Sequence, residues 1–119
     1  MKNFLAVYMG TQESREKSGW DRLPEAQRKE REMSGIQAWG AWMGKHQADI
    51  AYTGGPLGKT KKIAKGGISD IKNAMTGFVV VQAESHDAAA RLFENHPHFA
   101  IFPGDSVEIM ECLPIPGQT

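Results

Sequence analysis

Residues 76–84, TGFVVVQAE, set Phe78, Val80 and Gln82 against Val79, Val81 and Ala83 in strict alternation. Successive side chains of a strand point to opposite faces, so this strand is apolar on both. The run NFLAVYM at 3–9 repeats the pattern, with Phe4, Ala6 and Tyr8 on one side and Leu5, Val7 and Met9 on the other. Strands of this kind belong inside a sheet whose two faces are both covered. A chain of 119 residues with two such strands must find two covers, and that requirement governs what it can fold into.

The remaining segments supply one cover. Pro24 can open a helix, because its missing N–H is no loss in a first turn, and helical spacing runs to about Gln47. Stepping 100° per residue places Met33, Ile36, Trp39, Gly40 and Met43 on one side of it, with Trp42 further round. The mixed charges at 28–32 read as a solvated face. The stretch 49–67, DIAYTGGPLGKTKKIAKGG, reads as a strand, a glycine-proline break and a second strand or extended arm. SHDAAARLFENH at 85–96 is a short helix with Ser85 as N-cap, stopped by Pro97. SVEIMEC at 106–112 is a last strand, and 10–23 reads as an exposed connection. The order is β-α-β-β-α-β, the ferredoxin-like arrangement of one α+β domain over 1–119, with an antiparallel sheet and helices on one face. Two helices cover one face only. The simplest cover for the other is a second copy packed sheet to sheet, a homodimer with a barrel-like shared core.

Fourteen basic and fourteen acidic residues give no net charge, so there is no general pull on nucleic acid or on anionic membranes. No apolar run is long enough for a membrane span. The N-terminal run suits a strand better than a signal peptide, and the single Cys112 precludes an internal disulfide and any cysteine-cluster metal site. These features fit a cytoplasmic protein without nucleic acid or membrane as partner. Cys112 itself reads as a buried, inert thiol.

FLAVYM, GAWMGKHQADIAYTGGPLGKTKKI, TGFVVVQAESHDAAARLFENHP and VEIMEC together resemble the YCII-related family, including its DGPF-motif branch, over nearly the whole chain. The resemblance implies a ferredoxin-like fold that dimerises as an α+β barrel. It also implies either small-molecule chemistry on lactones or aromatic breakdown products, or a role beside transcription regulators. The branch signature Asp-Gly-Pro-Phe falls on Gly54-Gly55-Pro56-Leu57. Only the central Gly-Pro is kept, so no role of the acidic residue carries over.

Candidate chemistry centres on the histidines. His96-Pro97-His98 sets two imidazoles two residues apart. A metal site would need further ligands, with His46, Asp49, Asp105 and Glu108 available, but no spacing requires them to converge, and no metal or other cofactor is expected. His98, oriented by Asp105, is the candidate acid–base catalyst, while His96 reads as the end of a helix. TGGPLGKTKK lacks the strand-to-helix context of a phosphate loop; its glycines suit a bend beside a cleft, and its lysines could attract an anionic ligand to the mouth. Trp39 reads as core and Trp42 as pocket lining. The expected site is a cleft between helix and sheet, with Tyr8, Trp42, Thr53 and Gly54 binding a small molecule and His98 and Asp105 acting in proton transfer, elimination or isomerisation. The alternative is a non-enzymatic dimeric sensor or accessory domain.

Overall fold

The computed structural model describes residues 1–117. Its main sheet has four strands: β1 (Lys2–Met9), β2 (Ile50–Pro56), β5 (Met75–Ala83) and β6 (Ser106–Glu111), in the order β2-β5-β1-β6 with every neighbour antiparallel. This is the ferredoxin-like α+β arrangement, and the two doubly apolar strands are its central pair. Phe4 faces Val81, Ala6 faces Val79 and Tyr8 faces Gly77 across that pair. These residues form the buried face of the sheet, on which Trp42, Ala89 and Phe93 pack from the helices. The opposite face carries Leu5, Val7, Val80 and Met110, none of which joins that helix-covered cluster.

The helices are α1 (Gln12–Ser18), α2 (Glu25–Lys45), α3 (His86–Arg91) and α4 (Pro97–Ala100). The segment 10–23 is therefore not an open connection. Thr11 and Ser14 form a reciprocal capping box that starts α1, and Gly19, at φ 73°, ends it. A single 3-10 turn follows and buries Trp20 against Phe102, with the Arg31 guanidinium over its ring. Polar composition hid a helix here because its signal lies in the caps.

Helix α2 presents Gly35, Trp39, Trp42 and Met43 to the rest of the chain, whereas Met33 and Ile36 are 64% and 66% exposed. The apolar side is rotated from the one expected because Phe102 lies directly over Gly35, where a Cβ would come within 2.4 Å of its ring. A glycine thus marks the contact face, which a hydrophobicity pattern cannot register.

Between β2 and β5 the chain forms an additional hairpin, β3 (Thr60–Ala64) and β4 (Gly67–Ile71), paired only with each other. The second of these strands lies beyond the stretch whose pattern predicts extended structure. The hairpin is exposed on both faces, and the Cα radius of gyration is 16.5 Å, against about 13–14 Å for a compact domain of this length; the arm projects. No helix among the described residues is long and apolar enough to cross a membrane. Cys112, expected inside, is exposed just past the end of β6.

Candidate active site

The helix expected over 85–96 stops at Arg91. The chain then turns through Asn95, at φ 57°, and starts α4 at Pro97. His96 thus caps a helix rather than ending one. Pro97 has no N–H, so the first backbone donor of α4 that a side chain can satisfy belongs to His98. His96 Nδ1 accepts it at 3.0 Å. The spacing His-Pro-His is the local code for this cap: proline at the first helical position, an acceptor before it, and the capped donor after it.

His96 is wholly buried. Trp39 and Trp42 meet its ring edge-on, at centroid distances of 4.6 and 4.7 Å, and Tyr8 and Phe93 pack beside it at 5.1 and 5.7 Å. Burial in this aromatic cage disfavours the imidazolium, and the nearby His98 and His46 rings act in the same direction. The pKa of His96 falls to about 4. Its remaining ring nitrogen, Nε2, lies 3.4 Å from Tyr8 Oη.

His98 takes the opposite orientation. Its Nε2–H donates to the Met9 carbonyl at 2.7 Å, which leaves Nδ1 as the acceptor of the neutral ring. Burial lowers its pKa, opposed by the Met9 hydrogen bond and by the charge of Asp105. Burial pushes the Tyr8 phenol well above its ordinary range, so that group stays protonated.

Tyr8 and His98 meet at a cavity of about 260 Å³. Trp39 and Met43 wall it from α2, Thr53, Gly55 and Pro56 from β2, and Thr76 to Phe78 from β5. It lies between helix and sheet, where a cleft was expected. A larger hollow of about 990 Å³ sits at the base of the β3–β4 arm, but its walls are mainly exposed lysine and polar side chains, with no buried acid–base group among them.

Of the residues singled out from sequence, Tyr8, Thr53 and His98 line this cavity. Trp42 does not. It is core, 8% exposed, with its indole N–H donating to the Leu92 carbonyl at 2.8 Å. Trp39 lines the cavity in its place, 4.8 Å from the Tyr8 ring, so the expected roles of the two tryptophans are exchanged. Gly54 stands behind the wall. At φ 59°, with a would-be Cβ 2.0 Å from the Phe78 carbonyl oxygen, it is the bulge that lets Thr53 and Gly55 reach the cavity. Asp105 lines a separate hollow with Phe93, Phe99 and Val107, and its carboxylate accepts the Ser106 hydroxyl at 2.9 Å. The group that orients His98 is the Met9 carbonyl. His46 Nδ1 lies 3.6 Å from Asp49 Oδ2, and among the described residues no three His, Cys, Asp or Glu side chains are placed to hold a metal. Sequence reasoning missed Met43, Thr76 and the carbonyl of Met9; a backbone acceptor leaves no trace in residue type.

No protein-family model matches this chain, and no curated protein matches it. Among solved structures it is similar to 5-chloro-2-hydroxyhydroquinone dehydrochlorinase (TftG) from Burkholderia phenoliruptrix AC1100, solved in complex with 2,5-dihydroxybenzoquinone. The identity is 20%, the match covers 91% of this chain and 90% of that one, and the TM-score is 0.51. The likeness shows that the two chains share an α+β fold.

Proposed function

We propose that this protein binds a small oxygenated ring compound in the Tyr8–Trp39–His98 cavity and transforms it by proton transfer. The observation that carries the reading is the pairing of two complementary groups on one half-enclosed, largely apolar space: the His98 ring, whose Nε2–H is fixed on Met9 and whose Nδ1 lone pair is left over, and the protonated Tyr8 phenol. A neutral histidine is a base suited to neutral pH. His98 Nδ1 accepts a proton from a ring carbon or hydroxyl. The released electron pair forms a new double bond and either expels a leaving group with its own bonding pair or shifts an existing double bond along the ring, in which case the His98 imidazolium returns the proton to the ring carbon at the far end. Tyr8 donates a hydrogen bond to the substrate oxygen on which negative charge builds. Trp39 supplies a flat apolar wall for the ring. Elimination from a hydroxylated quinol, the reaction named for the similar structure, falls within this chemistry, as does isomerisation of a lactone.

The arm leaves the cavity rim at Leu57, whose N–H bonds to the Thr76 carbonyl at 3.0 Å. Lys59, Lys61, Lys62, Lys65 and Lys72 lie beyond that point, a charge pattern that favours anionic ligands at the mouth. We also assign the apolar sheet face at Leu5, Val7 and Val80 to a second copy of the chain.

The test is turnover of halogenated hydroxyquinols and small lactones by the full chain and by His98→Gln. The reading expects His98→Gln to bind ligand and to lose roughly 10²–10⁴-fold in rate, the usual range for one acid–base group. Unchanged rates would remove His98 from the chemistry. Binding with no turnover of any such compound would favour a sensor or accessory domain.

A further inference from the structure

The hydrogen bonds around His96 fix where one proton sits. A backbone N–H is always a donor, and the His98 N–H points to His96 Nδ1 at 3.0 Å. That nitrogen must therefore hold a lone pair. In a neutral imidazole the other nitrogen then carries the hydrogen. Nε2 of His96 is thus a donor, and the atom it reaches is Tyr8 Oη at 3.4 Å. The contact could in principle run from the phenol to the ring; the cap on the other side of the ring removes that option. No other protein group bonds to Tyr8 Oη among the described residues. Its own O–H has nothing to donate to except the contents of the cavity that Tyr8 lines.

We infer that His96 is a positioning residue that, by donating its Nε2–H to Tyr8, commits the Tyr8 hydroxyl to donate into the cavity, so that the site selects ligands presenting an acceptor oxygen there, a phenolate or a ring carbonyl, over ligands presenting a donor. The ligand class rests on the cavity reading above; the tautomer does not. The cage of Tyr8, Trp39, Trp42 and Phe93 holds the ring in this orientation. The arrangement also divides labour within the His-Pro-His motif. His98 keeps a free acceptor, and His96 ensures that the group beside it is a donor. A ligand would meet one of each.

Two measurements decide this, and each can fail alone. Nitrogen-15 NMR of histidine-labelled full-length protein at neutral pH should give His96 the shift pattern of the Nε2–H neutral ring. An Nδ1–H or doubly protonated ring would overturn the inference whether or not any ligand binds. For the ligand class, the probes are 4-nitrophenolate and 4-nitroaniline, matched in shape but offering an acceptor and a donor respectively, compared at a pH where the former is ionised. The full chain should prefer the phenolate by roughly tenfold or more, as a hydrogen bond to a charged acceptor provides. Tyr8→Phe should lower the preference several-fold, to what the lysines at the mouth give an anion over a neutral ring. His96→Asn keeps a cap for the His98 N–H but is too short to reach Tyr8, and should reduce the preference while α4 remains formed. Equal affinity for the two probes in the full chain would sink the proposed ligand class. If only Tyr8→Phe matters and His96→Asn matches the parent, His96 is a helix cap and nothing more. If neither probe binds, the cavity reading fails, and the ligand class with it, while the NMR result stands on its own.

Discussion

His98 Nε2 donates to the Met9 carbonyl at 2.7 Å, and the same oxygen takes the Asp105 N–H at 2.9 Å. The end of β1 thus anchors both the imidazole and the loop behind it. Gly104 allows this closeness: a Cβ there would stand 2.4 Å from His98 Cε1, Nε2 and carbonyl oxygen. Gly104→Ala should destabilise the fold by about 1–3 kcal/mol, the usual penalty for overpacking, and displace the His98 ring. Gly44→Ala is the control. It lies in α2 with open space where the Cβ would go, so it should be neutral or stabilising by up to ~1 kcal/mol. Urea denaturation of both variants, with 4-nitrophenolate binding as a second readout, checks the pair.

Stability should fall on acidification over a defined window. His96 titrates near its ordinary 6.5 when unfolded and near 4 when folded. Above 6.5 both states are neutral and the full stability is present. As pH drops toward 4 only the unfolded chain gains the proton, so stability is lost at up to about 1.4 kcal/mol per pH unit and by about 3 kcal/mol in all. His98, also lowered, adds to the slope. Denaturation midpoints at intervals from pH 7.5 to 4 should show this. His96→Asn should remove most of the slope, and a profile that stays flat in the parent would contradict the burial of a neutral His96.

The two tryptophans should separate stability from binding. Trp42 is buried and hydrogen-bonded to the Leu92 carbonyl. Trp42→Phe removes that bond, leaves a half-buried carbonyl without its partner and opens a small void, for an expected loss of about 1–3 kcal/mol. Trp39 is half-buried at the cavity wall. Trp39→Ala should cost less stability than its size suggests and weaken ring-compound binding at least several-fold. Thermal melts set beside probe titrations test the contrast, and the reverse ordering would mean that the cavity is not the binding site.

The alternation in β1 and β5 was enough to place both strands at the centre of the sheet, because double-sided burial leaves a mark in residue type. Tyr8, Thr53 and His98 do line the cavity, but only Tyr8 stands on a strand whose faces the alternation assigns; Thr53 and His98 are marked by polar chemistry beside a glycine bend and in the loop before the last strand. The rest of the site depends on atoms that residue type does not encode. Trp39 and Trp42 lie three positions apart on one helix, and which faces the cavity depends on a rotation set by Phe102 over Gly35. Residue chemistry points to Asp105 as the partner of His98; the acceptor is the Met9 backbone. The His-Pro-His spacing carries a capping signal at the start of a helix, where the pattern alone suggests the end of one. The β3–β4 arm, exposed on both faces, follows no burial pattern, so its second strand left no periodic trace.

The uncovered sheet face yields the last prediction. Val80 sits at its centre, half-buried and paired across Leu5 of β1 and Tyr52 of β2, with the exposed Met110 of β6 beyond Leu5 on the same face; Val7, also on this face, is already buried within the chain. An apolar patch of this kind, on the two central strands, is unusual on a monomer, and an antiparallel sheet is free to pack a second sheet about 10 Å away. A homodimer through this face should therefore form at micromolar concentration. Val80→Lys should break it: in a single chain the ammonium can reach water, but at a sheet-to-sheet seam two copies would be buried without partners, at several kcal/mol. Sedimentation velocity should show a dimer for the parent and a monomer for Val80→Lys, with unchanged far-UV circular dichroism in both. Gln82→Lys serves as the comparison, since Gln82 pairs with Asn3 at the polar end of the same face and its substitution should leave the dimer in place. A parent that sediments as a monomer, or a Val80→Lys variant that stays dimeric, would assign this face to solvent and place any self-association elsewhere on the molecule.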